Sequence, residues 1–363
     1  MHTHNLESII KASIKDVEGL ASFKDSMTAS EFNVWANKEL SKYIKSSRIV
    51  AMIIESSNNT YELFRLWQMR DQNWYSNAIL AFCDYFSDAI ANDHDQISNM
   101  VAEEYPKVHL SLQNYHDSFF LQNQNNVSAG RHRARAYFRM MGDTLESVHL
   151  VHVQFIYKVL TIAPLSPLYG RRSLVSNGKA VSELLEISAF EYPLKGAVKG
   201  VPLSQWRNIC HHSAFQYDDK QGVINCNYGN NQTVRLTMLE LEHVMVKLDI
   251  IQALLKSAIE FAILGHLEAL EFGSELDITQ ESILSSFGNL LAMQGFSLFS
   301  IKQMNNILFI EVTDIKSRHL SNLKQDLTQF APTLLLLRHI GIEAEIHLTS
   351  TSGQPVGKLL LPR

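Results

Sequence analysis

Long apolar runs are missing from this chain. No stretch of about 18 apolar residues occurs along its 363 residues, so no membrane span is expected. The amino end, MHTHNLESIIKASIKD, has neither an apolar signal core nor a small-residue cleavage site, and secretion is not expected. Cysteine is scarce. Cys83, Cys210 and Cys226 cannot build a disulfide framework, and their odd number suits a reducing cytosol. There is no glycine-rich phosphate loop and no long-period repeat, which removes the phosphate-loop and solenoid readings. What is plentiful is apolar residue: 46% hydrophobic against 19% charged excludes a disordered chain and allows two or three domains with cores of their own.

The net charge of −5 is unevenly spread. Residues 1–127 carry 10 Lys/Arg and 16 Asp/Glu, residues 128–212 carry 11 and 5, and residues 213–363 carry 11 and 16. The middle stretch is thus a basic island between acidic flanks. Such an island suits a polyanion, because each phosphate contact releases counterions. A solvated surface with an accidental bias has the same charge pattern.

The patterning predicts helix through residues 1–122, opened in part by a capping box at Thr28-Ala29-Ser30-Glu31. The aromatic residues Trp67, Trp74, Phe82, Tyr85 and Phe86 read as packing. Gln122–Gly130 is polar and reads as a linker. A helix from about 131 to 161 carries the apolar stripe Tyr137, Met141, Leu145, Val148, Val151, Phe155 and Val159. Further helix is predicted over 179–190, a loop over Tyr192–Pro202, and a short helix over 203–211. Gly222–Tyr228 and Gln232–Leu236 read as a hairpin, and a second capping box, Thr237 to Glu240, opens a helix reaching about 271. The last ninety residues read as a small unit of α-β-β-α-β-β order. The expected fold is mainly α, in three domains: 1–125 helical, 131–272 helical with the hairpin, and 278–363 α+β.

Chemistry concentrates in Trp206-Arg207-Asn208-Ile209-Cys210-His211-His212-Ser213-Ala214-Phe215. Arg207 and His212 are separated by four residues at the end of a short helix, Asn208 follows the arginine, and a hairpin and a long capped helix come next. Over about 131–271 this resembles the HEPN superfamily, whose signature is Arg, four to six residues, then His, with a polar residue commonly after the Arg. The resemblance implies a metal-independent endoribonuclease, without cofactor, acting in prokaryotes as a toxin or as a phage-defence or stress effector. It implies an RNA substrate, a homodimer whose paired motifs form one composite cleft, and an antitoxin or regulatory partner. Some members of the superfamily only bind or scaffold, so an inactive RNA- or protein-binding scaffold or sensor is the alternative.

The residue types suit that chemistry. RNA cleavage without a metal needs a base for the 2′-hydroxyl, positive charge beside the phosphorane, and an acid for the 5′-oxygen, and it leaves a 2′,3′-cyclic phosphate. Histidine supplies acid or base near neutral pH. Arginine stays charged and grips phosphate with its fork. Asn208 can hold the histidine or a phosphate. On an ideal helix His211, four residues after Arg207, shares its face and His212 does not. The family spacing favours His212, with His211 as a helper. Two other readings use the same residues. Zinc on Cys210, His211, His212 and Cys226 is disfavoured by three consecutive ligands. Cys210 as nucleophile has no visible orienting group, and burial is a cysteine's commoner fate.

A second basic feature is the edge formed by Arg131, Arg135 and Arg139 at one helix start, with Arg171 and Arg172 in a nearby loop. These read as an RNA backbone track, or equally as a solvated face or a pairing surface for the acidic amino-terminal region. Arginine at a helix amino end opposes the macrodipole, which suggests a phosphate or carboxylate partner. Glu146, His149 and His152 either flank the site or pack as partly buried polar groups.

Overall fold

The computed structural model describes residues 17–55, 60–124, 130–270, 280–304, 307–316, 318, 323, 327, 330–339, 341–349 and 355–360. The chain is mainly helical with two small sheets. It divides into two compact units: Met1–Leu40, Ser47–Trp67 and Gly273–Arg363 form one, Ser41–Ser46 and Gln68–Phe272 the other.

Among the described residues the first unit opens with α1 (Val17–Asp25), α2 (Ala29–Leu40), α3 (Ser47–Glu55) and α4 (Thr60–Gln68). The capping box at the start of α2 is closed, with the Thr28 amide donating to Glu31 at 2.8 Å and the Glu31 amide to Thr28 Oγ1 at 3.3 Å. Phe23 packs among Phe32, Trp35, Phe64 and Trp67; Phe23 and Phe64 are buried, and Phe32, Trp35 and Trp67 are partly exposed.

The second unit follows. It holds α5 (Asn73–Asn92), α6 (His94–Gln124), α7 (Arg131–Thr144), a π-helical turn (Leu145–His149), α8 (Leu150–Ile162), α9 (Asn177–Leu184), α10 (Ser188–Leu194), a 3-10 turn (Gly196–Val198) and α11 (Leu203–His211). Then come β1 (Phe215–Asp218), β2 (Val223–Tyr228), β3 (Gln232–Thr237) and α12 (Met238–Gly265). The expected hairpin is a three-stranded antiparallel meander, because Phe215–Asp218 adds a strand to β2. Thr237 and Glu240 close the second capping box at the start of α12. The stretch 179–190 is two helices, and Ser188–Leu194 carries helix into the predicted loop, with Pro193 inside it.

The chain then returns to the first unit with α13 (Gln280–Met293), β4 (Phe296–Met304), β5 (Ile307–Asp314), α14 (Ala331–His339), β6 (Glu343–Thr349) and β7 (Pro355–Leu359). The four strands form one sheet in sequence order, with β5 and β6 parallel through the α14 crossover and the other pairs antiparallel. This is the α-β-β-α-β-β order of the sequence reading. The helix predicted over His319–Ile340 is described from Ala331 to His339, and most of its earlier residues lie outside the described set.

The units cut the chain differently from the three expected domains. Helices α5 and α6, assigned from sequence to a separate amino-terminal domain, pack on α8, and α5 also packs along α12. The apolar face of α5, with Ala78, Ile79, Phe82, Phe86 and Ala89 buried, finds its partners more than 60 residues later. Conversely, α1 packs on α13, and Asp25 reaches Lys316 at 2.5 Å. A periodic apolar stripe shows that a helix has a buried face; it does not say which distant element covers it. Residues 125–129 of the predicted linker lie outside the described residues.

Candidate functional site

Helix α11 is held from both ends. Trp206, fully buried, donates its indole N–H to the Val198 carbonyl at 3.0 Å. Beyond its end, Phe215 stacks on Phe138 of α7 with ring centroids 4.0 Å apart, a contact of about 0.5–1.5 kcal/mol beyond its buried area. The helices α7 and α11 approach so closely that a Cβ on Gly142 would lie 3.1 Å from the Cys210 Cβ. Trp206, Ile209 and Cys210 face inward, leaving Arg207, Asn208 and His211 on the outer side.

Against this outer side stands the π-helical turn, which inserts an extra residue between α7 and α8. It separates the three polar residues of this stretch. Glu146 points to α11, while His149 and His152 are buried. Arg207 Nε donates to Glu146 Oε2 at 2.5 Å and Nη2 donates to Oε1 at 3.0 Å. His211 Nε2 lies 3.6 Å from Glu146 Oε2, within ion-pair reach when protonated. All three side chains are about one-third exposed. The paired guanidinium holds the Glu146 carboxyl below its ordinary range, and the carboxylate in turn raises Arg207. The side-on pairing engages Nε and one hydrogen of Nη2. Both hydrogens of Nη1 and the second of Nη2 have no partner among the described residues, so one edge of the fork is open to an oxyanion.

The structure therefore brings Arg207, His211 and Glu146 together. His212 caps α11, donating its backbone N–H to the Asn208 carbonyl at 3.0 Å, and its exposed imidazole has no partner among the described residues. Ser213 follows at φ 50, a left-handed turn that redirects the chain into β1. Cys210 is buried, and burial together with neighbouring Cys226 pushes its thiol well up, against any thiolate role. Cys226 is also buried whereas both histidines are exposed, so these four side chains do not converge. Among the described residues no group of three His, Cys, Asp or Glu side chains is arranged to hold a metal ion.

Glu146, Arg207 and Asn208 also line a cleft of about 830 Å³, framed by α8, the start of α9 and the start of α11. Gln154, Asn177, Ser182 and Gln205 contribute to it. No sequence pattern marks these residues as a group.

Two of the five arginines of the predicted basic track, Arg131 and Arg171, are paired within the unit. Arg131 bonds Asp219 at 2.7 Å, so its carboxylate partner comes from the β1–β2 turn and not from the amino-terminal helices. Arg171 is held by Glu186 and Glu183 at 2.7 and 3.4 Å. Arg135, Arg139 and Arg172 are exposed and have no side-chain partner among the described residues. His149 and His152 are core groups. His152 Nδ1 contacts the Val148 carbonyl at 2.9 Å and its Nε2 faces Gln252 Nε2 at 3.3 Å, which fixes a neutral ring with its proton on Nδ1. Burial pushes His149 down to about 3 and His152 to about 4.

Comparison with protein-family models, curated proteins and solved structures finds no match to this chain. No helix among the described residues is long and apolar enough to cross a membrane.

Proposed function

We propose that the 130–270 region is a metal-independent endoribonuclease of the HEPN type, working by 2′-hydroxyl attack to a 2′,3′-cyclic phosphate. The observation that carries this reading is the Arg207–Glu146–His211 cluster: a guanidinium fixed by a carboxylate, one edge open, beside a half-exposed imidazole. Arg207 stabilises the charge on the phosphorane through its open edge. His211, on the same side of α11, takes or returns the proton. Glu146 orients both. Asn208, with no side-chain partner among the described residues, contacts the phosphate or sugar. His212 lies just beyond and supplies the second proton-transfer group, either in its own chain or across a two-fold pairing that sets two motifs in one cleft. In a cell this activity fits a toxin or a defence or stress effector of the cytosol, restrained by an antitoxin or regulatory partner.

Incubation of the protein with total RNA in EDTA tests the reading: wild type cleaves and Arg207→Ala does not. One observation favours the alternative of an RNA- or protein-binding scaffold, namely that Glu146 neutralises the charge of Arg207. Binding of RNA without cleavage in the same assay selects that alternative.

A further inference from the structure

We infer that the cleft between α8, α9 and α11 is a base-reading site that takes one unpaired ribonucleotide of an RNA strand, its base in the cleft and its phosphate on the open edge of Arg207. This rests on the proposed RNA reading and adds to it a selectivity that the Arg–His motif alone does not provide.

The lining of the cleft carries the argument. Its charged residues are Glu146 and Arg207, which neutralise each other. A groove that follows a polyanion backbone needs repeated cations, and this one has none beyond Arg207. The rest of its polar lining is amide and hydroxyl. Asn208 has no side-chain partner among the described residues, so its amide is uncommitted. Gln205 accepts from the Gly229 amide with its Oε1 at 3.1 Å, and its NH₂ has no partner among the described residues. Gln154 Nε2 donates in a long contact to the Val175 carbonyl, 3.4 Å, and its Oε1 has no partner among the described residues. Asn177 also lines the cleft, and its buried Oδ1 has no partner among the described residues. Uncharged donors and acceptors in mixed order match the edge of a nucleobase, which asparagine and glutamine read by paired hydrogen bonds. Leu150 and Leu185 give the cleft apolar surface for the faces of a base. Its volume of about 830 Å³ lies within the ~300–1,000 Å³ of small-ligand sites and is ample for one nucleotide. Bases are readable in this way only when unstacked, so the substrate is single-stranded.

The test uses the full chain and short labelled oligomers with a 2′-O-methyl backbone, which cannot be cut. Each carries one base, A, C, G or U, amid abasic positions, and a fully abasic oligomer is the control. Fluorescence anisotropy should show one base raising affinity by about tenfold or more over the abasic strand. Ser182→Trp, an exposed position on α9, should fill the cleft and bring that oligomer to within about twofold of the control. Gln154→Ala should reduce the preference without filling anything, and thermal melting checks that both variants are folded. Arg207→Ala should weaken every oligomer by a similar factor. Equal binding of all oligomers to wild type, or a preference that survives both cleft variants, overturns the inference. So does a nucleoside monophosphate that binds as tightly as the oligomer, since the cleft would then belong to a free nucleotide. The two readings fail separately: base preference without cleavage of RNA in EDTA overturns only the nuclease, and cleavage without base preference overturns only the cleft.

Discussion

Glu146→Gln removes one negative charge and keeps the shape of the side chain. In the wild type two oxygens of Glu146 accept from Arg207 at 2.5 and 3.0 Å, with side chains 37% and 36% exposed. Two charges 4 Å apart attract by roughly 4 kcal/mol at the effective dielectric of a protein surface. Exposure, salt and the hydrogen bond that glutamine still accepts reduce the net loss to about 1 kcal/mol. For a unit of this size that lowers Tm by about 2–4 °C. The loss depends on pH in a definite direction. Arg207 depresses the folded pKa of Glu146 below the usual 4.5, so between those values the unfolded chain binds more protons. The stabilisation is complete above 4.5 and disappears as pH falls through the depressed value, so the gap in Tm between wild type and variant should close there. Cleavage should fall by roughly tenfold, because Arg207 and His211 lose their shared anchor and positional errors of about 1 Å are costly. Melting curves from pH 3 to 8 and initial rates on one RNA measure both effects. An unchanged Tm at pH 7 with an unchanged rate refutes the organising role of Glu146, and faster cleavage would make it an inhibitory clamp instead.

Further outcomes follow from the same geometry. Arg207→Ala should take cleavage below detection, a loss of at least about 10²–10³-fold, while the fold persists, measured by single-turnover rates beside circular dichroism; His211→Ala should reduce it more than His212→Ala, and the reverse order would return the leading role to His212. The buried neutral pair His149 and His152 should make the second unit acid-labile. Both pKa values are lowered, so the unfolded chain gains protons first as pH falls below 6.5, at a cost of the order of 2 kcal/mol per histidine at pH 5. His149→Leu should flatten that part of the Tm–pH profile. Gly142→Ala should gain about 1 kcal/mol of helix propensity yet lose at least as much by pushing Cys210 and α11 away, read as no gain in Tm with reduced cleavage. Neutralising Arg135 and Arg139 should lower the salt slope of RNA binding by about 0.7 each, whereas Arg131, paired with Asp219, should contribute less.

Much of the local structure was legible because it depends on neighbours in sequence. Both capping boxes, Thr28 to Glu31 and Thr237 to Glu240, are satisfied as their spacing implies, and Leu203–His211 forms the helix that carries the Arg–His motif. Helical periodicity alone places His211 on the Arg207 side, and the structure has that arrangement. What was not legible depends on contacts between distant residues. The strand Phe215–Asp218 exists because Phe215 finds Phe138 and β2, neither of which its own four residues announce. The membership of α5 and α6 follows from packing on α8 across the predicted linker. Glu146 and His149 both lie in a π-helical turn, Glu146 paired with α11 and His149 buried, and no residue pattern in Leu145–His149 marks that turn. The uncharged lining of the cleft comes from three separate segments, a set with no spacing to recognise.

The central claim is that Arg207 and a neighbouring histidine cut RNA without a metal, and the chemistry of the product ends tests it most directly. A defined single-stranded RNA incubated with wild type in EDTA should yield fragments ending in 2′,3′-cyclic phosphate and beginning with 5′-hydroxyl, and Arg207→Ala should yield none. Fragments with 5′-phosphate ends, or cutting that persists in Arg207→Ala, would contradict the account.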